Sequence, residues 1–361
     1  MATAYMIGDI LMTRPSSSAP VKFGSVFTPH MVWARYEEGK GWSPLEVTPT
    51  KSFSLMPAAA VLHYGQAIFE GMKARRNQEG KVVVFRGDQN AERFRQSARR
   101  LVMPEVSDEM FSEALSLFLQ KDGHLTPEEE GSGLYLRPYM FAEESFLGVR
   151  PANSYIFVLI GSPMTAYFSD KDASLKLWIA DSARAAPGGT GDVKAAGNYA
   201  GSFTAQLEAK KQNCHQSLFL DAKEQKYIEE AGAMNIMFVK KDGSVVTPPL
   251  NGSILPGITR KSILAIGRDL GMEMREEQIS IDAVFEGGKS GEITEAFSSG
   301  TAVGIVPIRE LVRKTKTGEI ETISFQGIKT GFPVANRLAK TLLDIQEGRA
   351  EDKHGWVKVY A

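Results

Sequence analysis

Val193-Lys194-Ala195-Ala196-Gly197-Asn198-Tyr199 sets one lysine directly behind a loop of small residues, Ala185-Ala186-Pro187-Gly188-Gly189-Thr190-Gly191-Asp192. A lysine amine attacks carbonyl carbon well only when it is held, partly stripped of water and deprotonated. Small residues on both sides let a flat ligand approach the backbone. A nucleotide-binding P-loop ends in Gly-Lys-Ser/Thr. Here Val193 precedes the lysine and Ala195 follows it, so that reading fails on spacing. From this stretch alone, a solvated lysine beside a flexible loop and a carbonyl-binding lysine stand level. The rest of the chain has to separate them.

The sequence has 361 residues, room for two ordinary domains. A net charge of −1 gives no footprint for a polyanionic partner, so neither nucleic acid nor an acidic membrane is expected. Cys214 is the single cysteine, which excludes an internal disulfide. The histidines at 30, 63, 124, 215 and 354 have no metal-ligand spacing, and no metal is expected. No apolar run approaches a membrane span, and the first residues lack a basic stretch followed by an apolar core. The expectation is a cytoplasmic protein.

Residues 1–20, with Pro15-Ser16-Ser17-Ser18-Ala19-Pro20, read as a flexible arm. Strand-like runs follow at Lys81–Arg86, Leu134–Phe141 and Tyr155–Gly161. Helices are expected at Asp88–Leu101 and Ser107–Lys121, the second opening on a serine cap. Residues 162–173 read as a linker between a small domain, 21–161, and a larger one, 174–361. Beyond the linker, strands are expected near Leu175–Ala180, Ser217–Leu220, Asn235–Lys240, Glu292–Ser298 and Ala302–Pro307. Helices fit Tyr199–Gln212, Thr259–Leu270 and Pro333–Glu347, with Gly271 and Gly348 as stops. Strands outnumber helices and βαβ alternation is not strict. That favours two α+β domains over a doubly wound sheet. Pockets prefer domain interfaces, so a ligand is expected there.

Five further segments carry chemistry. Glu229-Glu230-Ala231-Gly232 places carboxylates before a small-residue turn. Such acids are ordinarily solvated. A buried one beside a ligand's ring nitrogen would instead keep that nitrogen protonated, because an opposite charge at contact favours the charged form. A protonated pyridine is an electron sink, the chemistry of pyridoxal phosphate. Leu255-Pro256-Gly257-Ile258-Thr259-Arg260 runs into a helix whose N-terminal amides suit a phosphate. Ser298-Ser299-Gly300-Thr301-Ala302 offers a second hydroxyl-rich turn. Arg93, Arg95, Arg99 and Arg100 share a helix; most form a solvated face, and one could fork a phosphate. In Tyr135-Leu136-Arg137-Pro138, strand alternation puts Tyr135 and Arg137 on one face, either at a rim or reading an anion.

Taken together, these segments resemble the branched-chain amino-acid aminotransferases of the pyridoxal-phosphate fold type IV superfamily. The resemblance also takes in Phe23-Gly24-Ser25-Val26-Phe27-Thr28-Pro29-His30-Met31 and Leu62-His63-Tyr64-Gly65-Gln66-Ala67-Ile68-Phe69-Glu70-Gly71-Met72-Lys73-Ala74. It covers nearly the whole chain after the first twenty residues, with the motifs in the family's order. It implies an α+β, D-amino-acid aminotransferase-like fold with pyridoxal 5'-phosphate at the domain interface. Lys194 is then the catalytic lysine that binds the cofactor and shuttles a proton. Glu230 partners the pyridine nitrogen, and Tyr199 the 3-oxygen. Arg93, Ile258, Thr259 and Thr301 cradle the phosphate. Phe23, Tyr64, Phe69, Tyr135, Arg137, Thr301 and Ala302 line the substrate pocket. Leu147 and Val149 belong to a loop that reaches a neighbouring subunit's site, which implies a homodimer.

The implied activity is transamination between leucine, isoleucine or valine and 2-oxoglutarate. The alternatives are a D-amino-acid transaminase, an aminodeoxychorismate lyase or a non-catalytic cofactor-binding protein. Ala195-Ala196 and Ala233 depart from residues common in the family. Val303 and Val306 stand where vertebrate members carry a Cys-x-x-Cys switch, so no thiol regulation of that kind is expected.

Overall fold

The computed structural model describes residues 4–7, 10–13, 24–164 and 174–360. The chain divides into two compact units. One comprises Met1–Ser169, Lys194–Gly197 and Asp344–Ala361; the other comprises Asp170–Val193 and Asn198–Leu343.

Among the described residues, the first unit holds a nine-stranded antiparallel sheet. Its order is Val357–Val359, Val82–Phe85, Met72–Arg76, Gly133–Ala142, Ser154–Met164, His30–Glu37 and Gly41–Trp42. Glu46–Pro49 also pairs with His30–Glu37, and Ala67–Phe69 with Gly133–Ala142. The central strands are buried almost throughout, because helices Gly87–Arg100 and Asp108–Asp122 lay their apolar stripes on the sheet. Phe94 anchors this layer, its ring 5.8 Å from Phe111 and 5.7 Å from Phe157. Ser107 caps the second helix by accepting from the Met110 amide at 3.1 Å.

The second unit is a mixed sheet. Following the pairings from Ile228–Ala231 through Gln216–Leu220, Leu175–Ile179, Gly304–Lys314, Ile293–Gly300 and Met234–Lys240 leads back to Ile228–Ala231, so the strands close into a ring. Val245–Thr247 and Met274–Glu276 extend it from Met234–Lys240, and Ile320–Ser324 from Gly304–Lys314. Helices Ile258–Asp269 and Ile281–Ser290 bury Ile263, Leu264, Val284 and Phe285.

Several expectations need correction. Ser162–Met164, read as the start of a linker, continues the strand Ser154–Met164 opposite Gly133–Tyr135. Pro163 is tolerated there because it lies past Leu159, where the ladder with His30–Glu37 ends, so its missing N–H breaks no bond of that ladder. Residues 165–173 lie outside the described ones. Within the expected N-terminal arm, Ala4–Ile7 pairs with Ile10–Thr13. The helix expected over Tyr199–Gln212 is two, Gly197–Ala200 and Phe203–Lys211. Ser202 interrupts it by turning its hydroxyl back onto the Tyr199 carbonyl at 2.7 Å. The strand expected from Ala302 starts at Gly304, where φ is +70°, and runs on to Lys314. Lys194–Gly197 and the C-terminal segment belong with the first unit rather than with 174–361, because both pair with its strands.

Candidate active site

In the first unit, Lys194 is fixed through its backbone. Its carbonyl accepts from the Phe69 amide at 3.2 Å, and its own amide donates to Ser97 Oγ at 3.0 Å. Ala195 bridges Ile68, and the Ala196 amide donates to the Ala67 carbonyl at 3.0 Å. The short strand Ala67–Phe69 therefore aims the lysine. Lys194 Nζ lies 4.6 Å from the Phe69 ring centre. Burial lowers its pKa from 10.5 to about 8; Arg93 and Arg137 push the same way, while Glu70 and Tyr135 oppose.

Around this amine sits a buried polar group that sequence reasoning did not assign a role. Glu70 is wholly buried and grips Arg93 in a fork, Nε to Oε1 at 2.7 Å and Nη2 to Oε2 at 2.9 Å. Asn90 Nδ2 donates to the same carboxylate at 2.6 Å. Burial would raise the Glu70 pKa, but Arg93, Lys194 and Asn90 together hold it below the usual carboxylate value. Arg93 is thus the buried member of its helix, whereas Arg99 and Arg100 are exposed.

Tyr135 and Arg137 do share a face, with Arg137 Nη2 donating to Tyr135 Oη at 3.2 Å and the guanidinium 4.6 Å from the Phe69 ring centre. Gly71 makes room for them: a Cβ there would lie 1.9 Å from Tyr135 Oη. Tyr64 bonds the Leu147 carbonyl through its hydroxyl, and Tyr64, Leu147 and Val149 are exposed. Phe23 lies outside the described residues.

In the second unit, Glu229 and Glu230 are both buried in the strand Ile228–Ala231. Glu229 is taken up by Asn251 and Ser253. Glu230 accepts from the Leu255 amide and pairs with Arg184, Nε to Oε2 at 3.1 Å. Arg184 also donates to the carbonyls of Gly191 at 2.8 Å and Ser253 at 2.6 Å, tying down the small-residue loop. Gly191 has no alternative, since a Cβ there would meet the Ser253 carbonyl at 2.3 Å. Asn198 clamps the far end of the loop through Thr190 and the Val193 carbonyl. Tyr199 follows in the short helix Gly197–Ala200.

Glu230, Asn235 and Ser299 stand side by side across three strands. Asn235 Nδ2 donates to the Leu255 carbonyl at 3.0 Å, so Glu230 and Asn235 together hold the turn before helix Ile258–Asp269. Among the described residues no side chain caps that helix, and at Gly257 a Cβ would sit 1.9 Å from Asn235 Oδ1. Ser299 Oγ is buried with no hydrogen-bond partner among the described residues. Thr301 and Ala302 form the turn after the Ser299 strand. A phosphate-bearing ligand fits this donor set: open helix amides at Ile258 and Thr259, an unsatisfied hydroxyl and a cradle that only glycine permits.

A family model described as amino-transferase class IV matches residues 67–311. The chain belongs to this family, and its architecture is the α+β arrangement of fold type IV enzymes. The probable branched-chain-amino-acid aminotransferase of Streptomyces coelicolor is 45% identical to it, over 94% of this chain and 92% of that protein. The branched-chain-amino-acid aminotransferase of Mycobacterium tuberculosis is 46% identical, over 93% and 91%. Among solved structures, a T.th. branched-chain amino acid aminotransferase with pyridoxamine 5'-phosphate superposes with a TM-score of 0.71 at 25% identity, covering 91% of this chain and 98% of that one.

Proposed function

We propose that the protein is a pyridoxal-phosphate-dependent transaminase that moves the amine of leucine, isoleucine or valine to 2-oxoglutarate, yielding a branched 2-oxo acid and L-glutamate. The observation that carries this reading is the Lys194 amine, held in place and shifted to a pKa of about 8. An amine of that pKa is still mostly protonated near pH 7.4, but its neutral fraction, roughly one fifth, is on the order of a hundredfold that of an ordinary lysine and can act as base or nucleophile. When bound, the cofactor supplies an electron sink for the carbanion at Cα.

The chain does the rest. Lys194 Nζ removes the Cα proton and returns it. Glu230, steadied by Arg184 and the Leu255 amide, keeps a proton on the ring nitrogen. Tyr199 offers its hydroxyl to the 3-oxygen. Arg93, the amides of Ile258 and Thr259, and Thr301 hold the phosphate. Phe69 and Tyr135, with Phe23, Tyr64 and Ala302, form apolar and aromatic walls for a branched side chain. Arg137, already bonded to Tyr135, reads the second carboxylate of 2-oxoglutarate. Leu147 and Val149, exposed in the single chain, reach a second copy in a homodimer. A cytoplasmic location accords with this chemistry.

The test is an absorbance spectrum of the cofactor-loaded protein. L-Leucine should abolish the visible band, and 2-oxoglutarate should restore it. A band that responds to D-alanine and ignores L-leucine would defeat the substrate assignment.

A further inference from the structure

We infer that Glu70 is a positioning residue for the proposed reaction, locking the Arg93 guanidinium in one orientation beside Lys194 so that the two charges act on the amine as a neutral pair. The inference rests on the transaminase reading, but its geometry stands within the first unit alone. Glu70 is 0% exposed, and three donors besides its own neighbour converge on it: Arg93 Nε, Arg93 Nη2 and Asn90 Nδ2. The Gly71 amide adds a fourth contact at 3.2 Å. Both oxygens are therefore held, and rotation of either partner would break a fork in a dry environment.

The fork occupies one edge of Arg93, Nε and Nη2. Nη1 belongs to the opposite edge of the same plane, so its direction too is set by Glu70. A second link ties the group to the lysine: Ser97 Oγ donates to the Arg93 carbonyl at 2.9 Å and accepts the Lys194 amide at 3.0 Å. Helix Gly87–Arg100 thus carries the guanidinium and a backbone anchor for the lysine one turn apart.

The electrostatic consequence follows from the company of the amine. Among the described residues, Arg93, Glu70, Tyr135 and Arg137 act on the charge of Lys194. Two arginines without a carboxylate would leave the amine in a strongly positive field. Glu70 offsets one of them. Converting it to neutral glutamine keeps the shape and removes the offset, so the protonated form of the lysine nitrogen loses its fixed negative neighbour.

The experiment is a spectrophotometric pH titration of the protein loaded with saturating pyridoxal phosphate, reading the midpoint of the visible-band change. The parent, Glu70→Gln and the double variant Glu70→Gln/Arg93→Gln are compared. Glu70→Gln should lower the midpoint by about one pH unit or more. The double variant, in which both charges are gone, should return towards the parent. A Glu70→Gln midpoint equal to the parent's overturns the inference, as does a double variant displaced as far as the single one. Should Glu70→Gln fail to fold, the double variant decides alone: folding with a near-parental midpoint supports the neutral pair, and failure to fold overturns it. A parent that develops no visible band defeats the transaminase reading instead, so the two failures are told apart.

Discussion

Lys194 is costly to the cofactor-free protein at neutral pH. Its amine has a pKa of about 8 in the folded chain against 10.5 ordinarily. Below pH 8 the group is protonated both folded and unfolded, and the full cost of holding a charge there is present. Between pH 8 and 10.5 the unfolded chain binds the proton and the folded chain does not, so stability from this group rises with pH. The shift corresponds to about 3 kcal/mol. Lys194→Met in the cofactor-free protein should therefore be more stable than the parent below pH 8, by a margin that shrinks towards pH 10.5. Urea denaturation across that range would check this, and a margin that does not change with pH would contradict it. The lysine's place behind a small-residue loop is legible in the sequence as a local pattern, though that stretch alone leaves a solvated side chain equally open. The lysine's electrostatic setting is not legible. Glu70 and Arg93 are 23 residues apart, and neither shows in the sequence that the other is its partner. Glu230 and Arg184 pose the same problem across the second unit.

At the level of elements, Glu295 has a role that its neighbours conceal. It lies buried in the strand Ile293–Gly300 and accepts the amides of Val334 at 3.1 Å and Ala335 at 3.0 Å. Those are first-turn donors of helix Pro333–Gln346, which opens on a proline. A remote carboxylate thus caps the helix and meets its positive end. Glu295→Ala should cost about 2 kcal/mol or more, with Glu295→Gln recovering part of it, as read from denaturant midpoints. The long elements were legible because their period repeats several times: helix Asp108–Asp122 with its Ser107 cap, and strand Gly133–Ala142. Ala67–Phe69, Ile228–Ala231 and Met274–Glu276 were not, being too short to display alternation. Two adjacent glutamates also argue against a buried strand, until partners such as Asn251 and Arg184 are seen to satisfy them.

At the scale of the whole molecule, the first unit depends on the end of the chain. Val357–Val359 pairs with Val82–Phe85, the Arg86 amide donates to the Trp356 carbonyl at 2.7 Å, and the Tyr360 amide reaches the Val82 carbonyl at 2.9 Å. Further in, Glu347 accepts from Arg75 at 3.0 Å and from the Gly131 amide at 3.1 Å. Ending the chain after Gln346 should leave Arg75 as a buried cation without its carboxylate and bare the edge of an apolar strand. The expected outcome is loss of cooperative unfolding and growth of light scattering on concentration. Retention of the parent's denaturation midpoint would show that the tail is dispensable.

The same pairing sets a timetable for synthesis. At roughly 5–20 residues per second, the ribosome delivers Val357 on the order of tens of seconds after Phe85. Throughout that interval Val82–Phe85 has Met72–Arg76 on one flank and still awaits Val357–Val359 on the other. The half that is translated first waits on a strand translated much later, and a nascent chain of this protein has to be kept from other nascent chains until Val357–Val359 emerges.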